Sequence, residues 1–255
     1  MFRITMGNKW FITGPDTLLT MEIGAFILEM ERLAPPDLAD EMDVGRIGLI
    51  IEGKQYLETI CTALDATPAV ISQAVRAGAD MLVVHHTPIW NPVTSICGPF
   101  ASLVRQVMES GLNLYVMHTN FDRAPRGVNE VLAEILGLSY TEPLSLGIAG
   151  DCDLTFQEMS RRLACPLRVW GQISPPYRLA VVGGSGFSPD LIEEAECKEC
   201  TAFLSSELKH SVMRQSSLPL IEATHYALEA PAMKMLADRC GWQYIEDQPR
   251  LQVWI

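Results

Sequence analysis

The sequence lacks the features that mark membrane, secreted and nucleic-acid-binding proteins. No apolar run approaches the ~18 residues that a membrane-spanning helix needs, and the first residues lack the basic flank and apolar stretch of a secretory signal. The seven cysteines are odd in number and scattered, which does not favour a disulfide framework. Lysine and arginine total 19 against 31 acidic residues, and the net charge of −12 opposes binding to a phosphate backbone. We therefore expect a cytoplasmic protein without membrane or nucleic-acid partners, although a bound metal can still attract a small phosphorylated ligand.

Predicted strands and helices alternate along the 255 residues, which is typical of an α/β fold with largely parallel sheets. Wholly apolar strands such as Met81–Val84 are of the buried kind. A single strand is predicted at 56–64, helices at 101–110 and 127–136 are closed by Gly111 and Gly137, and the last helix is predicted at 229–240. The pattern predicts two α/β lobes. The predicted boundaries are an extension at 1–20 with a short strand at 10–12, a first lobe at 21–140, a connecting region at 141–176 and a second lobe at 177–255.

The five histidines are few, and most of them follow predicted strands directly. His85 and His86 come at the end of one strand and His118 at the end of the next, while His225 follows a short strand and turn. A carboxylate stands four residues after two of them, at Asp122 and at Glu229. Ligands of open parallel sheets gather at the carboxyl ends of the strands.

Imidazole and carboxylate groups are common ligands of divalent transition metals, so this pattern indicates a metal site. For each residue taken alone, a structural role without a metal remains open. A single histidine is often a hydrogen-bonded structural residue, Asp122 fits an Asx-turn or a cap before the helix at Val128, and Glu229 suits a helix N-terminus through the dipole.

Two further motifs are ambiguous. Cys197 and Cys200 form a CxxC without the second ligand pair of a zinc site, and we interpret them as incidental thiols. The loop Gly183-Gly184-Ser185-Gly186 is either a tight strand-to-helix turn, which we favour, or a phosphate-binding loop. Trp90 and Phe100 lie near the double histidine, but nothing in the sequence supports an aromatic contact to a base or ring.

Several segments together resemble one protein family. They are LAPPDLADEMDVGRIGLII, TALDATPAVISQAVRAGADMLVVHHTPIW, LYVMHTNFDRAPRGVNEVLAEILGL, LAVVGGSGF, CTAFLSSELKH and ATHYALEAPAMKML. In this order they are similar to the GTP cyclohydrolase I type 2 homologues, also called Nif-three-like dinuclear metal-centre proteins. The double histidine, the HTNxD with its GVN, and the HYxxE are the specific parts. The chain departs from the family at EMDVGRIG, at Thr87 between the histidines and Pro88, and at Ser205-Ser206-Glu207.

The resemblance implies an α/β fold of two similar lobes with mixed or parallel sheets and a dinuclear metal site between them. Its ligands would be His85, His86, Asp122, His225 and Glu229, with Glu229 as the candidate bridge. It makes His118 a residue that orients a ligand or a water, and Glu207 and His210 the candidates for catalytic proton transfer. Two divalent ions per chain are implied, with zinc, iron, manganese, cobalt and nickel all compatible.

The implied activity is that of a metal-dependent hydrolase in a homohexamer, in which activated water attacks a nucleotide ring or a phosphoester. The substrate would be a small molecule, and a nucleotide is one candidate. A non-catalytic metal-binding or regulatory scaffold is the alternative.

Overall fold

The computed structural model describes residues 20–254. The predicted extension, with its strand at 10–12, lies outside the described residues except for Thr20. The elements up to Arg123 are β1 Met21–Glu22, α1 Ile23–Leu33, β2 Gly48–Ile51, β3 Tyr56–Leu57, β4 Ile60–Asp65, α2 Pro68–Arg76, β5 Met81–His86, α3 Gly98–Ser110, β6 Asn113–Val116 and α4 Thr119–Arg123. The elements that follow are α5 Val128–Leu136, β7 Ser139–Pro143, β8 Ile148–Cys152, α6 Phe156–Leu163, β9 Arg168–Trp170, β10 Tyr177–Val181, α7 Pro189–Cys197, β11 Ala202–Ser205, α8 His210–Gln215, β12 Leu220–Glu222, α9 His225–Cys240 and β13 Gln243–Tyr244.

The chain divides into two compact units. The first runs up to Phe121 and resumes at Met233, and the second is Asp122–Ala232. The first unit contains a five-stranded sheet in the order β13-β4-β5-β6-β2. Its β13, β4, β5 and β6 are parallel neighbours, and β2 is antiparallel to β6. Since parallel strands end at one edge, this sheet places the carboxyl ends of β4, β5 and β6 side by side.

The second unit contains a six-stranded sheet in the order β7-β8-β10-β11-β12-β9. Its three central strands are parallel, whereas β8 and β9 flank them in antiparallel pairing. The predicted connecting region at 141–176 contains β8, α6 and β9, so its strands belong to this sheet. Both units thus have mixed sheets, and the predicted α/β fold class is confirmed.

Local sequence signals explain many element boundaries. Thr67 caps α2 by accepting a hydrogen bond from Val70 N, with Pro68 at the first helical position. Thr155 and Glu158 form a reciprocal capping box at α6. Gly111 and Gly137 end α3 and α5 in the left-handed conformation, which costs glycine little. These signals fix where the helices begin and end.

The structure differs from the sequence prediction at several elements. The single strand predicted at 56–64 is split into β3 and β4, because Glu58 N and Thr59 N donate to the Asp80 carboxylate instead of continuing the ladder. The short helix α4 was not predicted. The last helix, predicted from Glu229, begins four residues earlier at His225.

Each unit has its own apolar core. In the first unit, β4, β5 and β6 contribute Ala63, Val84 and Val116 to a cluster with α2 and α3. In the second, apolar clusters pack on both faces of the central strands, with Leu179 and Leu204 on one face and Ala180 and Phe203 on the other. Among residues 20–254, no helix is both long enough and apolar enough to cross a membrane.

Candidate metal centre

Three histidines of the first unit lie together at the carboxyl ends of neighbouring strands. His85 and His86 are the last residues of β5, and His118 follows β6. One ring nitrogen from each of the three lies within 4.8 Å of the others, and the ring centroids are 4.9 to 5.7 Å apart. We call His85, His86 and His118 the histidine cluster.

Each ring of the histidine cluster is held through Nδ1 by an oxygen acceptor. His85 Nδ1 donates to the Met117 carbonyl at 2.8 Å, His86 Nδ1 to Asp65 Oδ1 at 2.7 Å and His118 Nδ1 to Asp43 Oδ1 at 2.8 Å. This arrangement fixes the Nδ1–H tautomer, so that Nε2 carries the lone pair. Metal-binding histidines are oriented in the same way by carboxylates and carbonyls.

The carboxylate behind His118 is fully buried. Asp43 is 0% exposed and also accepts hydrogen bonds from the backbone N and the hydroxyl of Thr119. Burial acts to raise the pKa of the Asp43 carboxyl, but the hydrogen bonds from His118 and Thr119 outweigh it and hold the pKa below its usual range. Asp43 is therefore a fixed negative charge that restrains the His118 ring.

In the second unit, His225 lies between two carboxylates. His225 and Glu229 stand four residues apart on α9, and Nε2 of His225 lies 2.8 Å from Glu229 Oε2. Its Nδ1 lies 2.7 Å from Glu207 Oε1. A neutral imidazole donates to only one of these carboxylates, so the second contact calls for an added proton or a metal ion.

The glycine loop packs directly against Glu229, whose side chain is nearly inaccessible. A Cβ at Gly184 would lie 2.2 Å from Glu229 Oε1, and the residue has a φ of +66°. The Gly184 carbonyl accepts hydrogen bonds from the Ser205 and Ser206 hydroxyls at 2.9 and 2.6 Å. The loop is thus a tight turn whose backbone supports Glu229, and the two serines at which the chain departs from the family hold it in place.

Asp122 lies within α4 and is buried. The N-cap of α5 is Gly127, so Asp122 is not the cap that one interpretation made it. Asn129 donates from Nδ2 to the Asp122 carbonyl at 3.0 Å and accepts from Gly183 N at 2.8 Å. Asn129 therefore joins the backbone of Asp122 to the loop that supports Glu229.

Glu229 is not a dipole-stabilising residue of the first helical turn, because α9 begins at His225 and its first turn has no acidic residue. The structure also brings Glu207 to His225, although it leaves Glu207 exposed. His210 begins α8, is exposed and forms no hydrogen bond or ion pair with any residue of 20–254.

Sequence reasoning missed the residues that orient the histidines. Asp65 pairs in register with His86 across β4 and β5, so its place at the end of an adjacent strand was a usable signal. Asp43 and Asn129 carried no comparable signal, since their contacts join segments 75 and 54 residues apart.

The donor set fits a divalent transition metal, since it combines imidazoles and carboxylates without a thiolate. The cysteines of the CxxC do not enter it. Cys197 ends α7, and burial raises the pKa of the Cys200 thiol to about 11, which keeps that thiol unreactive. Cys197 and Cys200 are both free thiols.

Two mixed α/β units, with histidines and carboxylates at strand ends and at the start of a helix, define a protein with candidate metal-binding groups. The family model for Duf34/NIF3 (NGG1p interacting factor 3) matches residues 21–254. The chain belongs to this family.

Relatives in other organisms agree with this assignment. A GTP cyclohydrolase 1 type 2 homolog of Methanocaldococcus jannaschii is 30% identical over 219 residues, covering 80% of this chain and 88% of the relative. A protein of the same description from Pyrococcus horikoshii is 32% identical over 213 residues, covering 76% and 84%.

Solved structures share the fold. Reduced HcgD from Methanocaldococcus jannaschii superimposes with a TM-score of 0.78 at 26% identity, covering 89% of this chain and 98% of that one. A Bacillus cereus protein related to NIF3 gives a TM-score of 0.78 at 18% identity, covering 92% and 99%, and shows the fold alone.

Proposed function

We propose that the chain is a divalent-metal-dependent hydrolase whose metal ligands are His85, His86, Asp122, His225 and Glu229. The orientation of the imidazoles carries this proposal. His85, His86 and His225 are each held through Nδ1 by an oxygen of their own unit, and this arrangement directs Nε2 to a metal. These ligands would hold two metal ions, and the chemistry that such ions supply is activation of a water and polarisation of the bond under attack.

The chain's own groups fix the ligands before a metal arrives. Asp65 and the Met117 carbonyl hold the two histidines of β5, and Glu207 holds His225. The backbone of Gly184 restricts where the Glu229 carboxylate can lie. Such restraint reduces the cost of ordering side chains on binding, because their rotamers are already set.

Proton transfer by Glu207 and His210 stays a prediction. The contact with His225 supports a positioning role for Glu207, and the exposure of Glu207 leaves its carboxylate accessible to solvent. His210 is exposed at the start of α8, where its ring is accessible to solvent.

The substrate class that we propose is a nucleotide or a phosphoester. The relatives' description as GTP cyclohydrolase 1 type 2 homologs supports attack on a nucleotide ring. Hydrolysis of a phosphoester requires the same metal ligands and stays open beside it. The family resemblance also supports a homohexamer, for which light scattering after size exclusion expects six times the 28.2 kDa chain mass.

Metal content and turnover test the proposal separately. We expect elemental analysis of the reconstituted protein to find about two ions per chain, with His85→Ala and Asp122→Ala each losing most of them. His210→Ala is the matched control and should keep full metal content. The same samples are then assayed against nucleotides and phosphodiesters.

Three results are informative. Turnover by the wild type that is lost in His85→Ala supports the hydrolase. Full metal loading without turnover on any substrate supports the non-catalytic scaffold instead. Well under one ion per chain in the wild type, with no effect of Asp122→Ala, contradicts the metal ligands themselves.

A further inference from the structure

An arginine and a tryptophan of the first unit stand beside the histidine cluster without a role in the ligand set. The Trp90 ring packs edge-on against the His118 ring, with centroids 5.6 Å apart and an interplanar angle of 86°. The Arg46 guanidinium carbon lies 5.0 Å from the Trp90 ring centroid, within the range of a cation–π contact. One aromatic ring thus separates a positive charge from the histidine cluster.

Arg46 is fixed at both its backbone and its side chain. Its backbone N donates to the Asp43 carbonyl at 2.8 Å, and the Asp43 carboxylate is the group that holds His118. Gly45, at a φ of +75°, makes the turn between them. The Arg46 Nε donates to the Trp90 carbonyl at 2.5 Å. The guanidinium therefore keeps a defined position relative to His118.

The rest of the guanidinium is available to a ligand. Within residues 20–254, Arg46 forms no ion pair with a carboxylate, and its two terminal nitrogens donate no hydrogen bond. This is notable in a chain with 31 acidic and 19 basic residues. The two terminal nitrogens form the planar fork that matches the oxygens of a phosphate group.

We infer that Arg46 is a phosphate-recognition residue for a substrate bound at the histidine cluster, and that Trp90 is its positioning residue. The inference rests on the proposed function and assigns recognition of the phosphate in that substrate class to one residue. Arg46 lies in the stretch EMDVGRIG, and Trp90 is the last residue of HHTPIW, the segment that contains the double histidine.

Calorimetric titration of the metal-loaded protein with GTP, GMP, inorganic phosphate and guanosine tests the inference without requiring turnover. Arg46→Met should weaken the binding of GTP and GMP by ~10- to 100-fold, the usual range for loss of a charged hydrogen bond. Its binding of guanosine, which lacks phosphate, should change less than twofold. Arg76→Met removes an exposed arginine charge from α2 and is the control, expected to bind all four probes as the wild type does.

Trp90 is tested by a conservative pair of variants. Trp90→Leu should lower GTP affinity as Arg46→Met does, because the guanidinium loses its platform, and Trp90→Phe should restore most of it. Arg46→Met in a Trp90→Leu background should add little further loss, since the two act as one unit.

Failure of the inference is distinguishable from failure of the proposed function. Three results would each overturn phosphate recognition by Arg46. They are an equal loss of GTP affinity in Arg46→Met and Arg76→Met, a loss of guanosine affinity in Arg46→Met as large as that for GTP, and no binding of any phosphate probe by the wild type. Metal content, measured on the same samples, decides the ligand set independently, and it should stay at the wild-type value in Arg46→Met.

Discussion

At the scale of single residues, the candidate site depends on groups that sequence motifs do not display. A histidine offers a metal one ring nitrogen, and the partner on the other nitrogen decides which one. Asp65, Asp43, Glu207 and the Met117 carbonyl make that choice here. The residues that orient the rings are therefore as informative about the chemistry as the rings themselves.

Gly184 provides a residue-scale prediction. Gly184→Ala should lower metal affinity at least tenfold, because the new Cβ would meet Glu229 Oε1 at 2.2 Å and displace the carboxylate. The positive φ adds a cost of about 1 kcal/mol for a residue with a side chain. Competition with a chromophoric chelator measures the affinity, and urea unfolding measures the stability.

Gly24→Ala is the matched control, since nothing lies within 4 Å of a Cβ there and the residue is in a helix. It should leave metal affinity unchanged. Wild-type affinity in Gly184→Ala would mean that the loop does not restrict Glu229.

At the scale of elements, the proposed histidine ligands lie at the end of a strand and at the start of a helix. The parallel register of β4 and β5 pairs Asp65 with His86, so the sheet itself sets their separation. Helix α9 places His225 and Glu229 on one face because it begins at His225. A helix beginning at Glu229, as the sequence suggested, would leave the His225 side chain outside the helical repeat.

The capping box of α6 gives a prediction for an element remote from the ligands. Thr155→Ala should lower the free energy of unfolding by about 1 kcal/mol, because the hydroxyl no longer accepts from Glu158 N. Metal content should not change. Gln157→Ala, on the exposed side of the same helix, controls for the substitution and should be near neutral. Urea titration compares the three proteins, and an equal effect of both substitutions would contradict the capping role.

Much of this architecture was accessible from the sequence, and the failures have physical causes. The strand ending in His85-His86 and the helices closed by Gly111 and Gly137 follow from apolar runs and glycine caps. The break between β3 and β4 was not accessible, because the Asp80 side chain, over twenty residues away, takes the backbone N–H groups. The pattern of apolar residues does not predict such a side-chain to backbone contact.

The candidate site likewise has parts that could be predicted from the sequence and parts that could not. The positions of the histidines were accessible because strand ends are visible in the sequence. The role of Asp43 was not, because a buried carboxylate looks like any acidic residue until its partner is known.

At the scale of the whole molecule, buried carboxylates tie stability to pH. Asp80 is 7% exposed and accepts from Lys54 Nζ at 2.6 Å as well as from the Glu58 and Thr59 backbone. Burial acts to raise the pKa of the Asp80 carboxyl, but Lys54 and the two backbone donors hold the pKa below its usual value. Since the folded pKa is depressed, the stabilisation is complete above the unfolded pKa of about 3.9 and is lost as the pH falls through the folded pKa.

Asp80→Asn should therefore lower the free energy of unfolding by about 1–2 kcal/mol at pH 7. The difference from the wild type should shrink at pH 3.5, where protonation of the unfolded wild-type chain has begun. Urea unfolding of EDTA-treated protein at both pH values measures it without interference from metal release. Asp153→Asn, at an exposed position, should have a small effect at both. If the difference in free energy of unfolding between Asp80→Asn and the wild type is the same at both pH values, the Asp80 carboxylate is not the source of this pH dependence.

The separation along the chain between each histidine and its partner has a consequence for folding. His86 and Asp65 are 21 residues apart, whereas His118 and Asp43 are 75 residues apart. Closing the longer loop costs about 1 kcal/mol more in chain entropy. The orientation of His86 can thus form with the β4–β5 pair, and that of His118 must wait until the segment around Asp43 has docked. A newly made chain would therefore orient His86, a proposed metal ligand, before it orients His118.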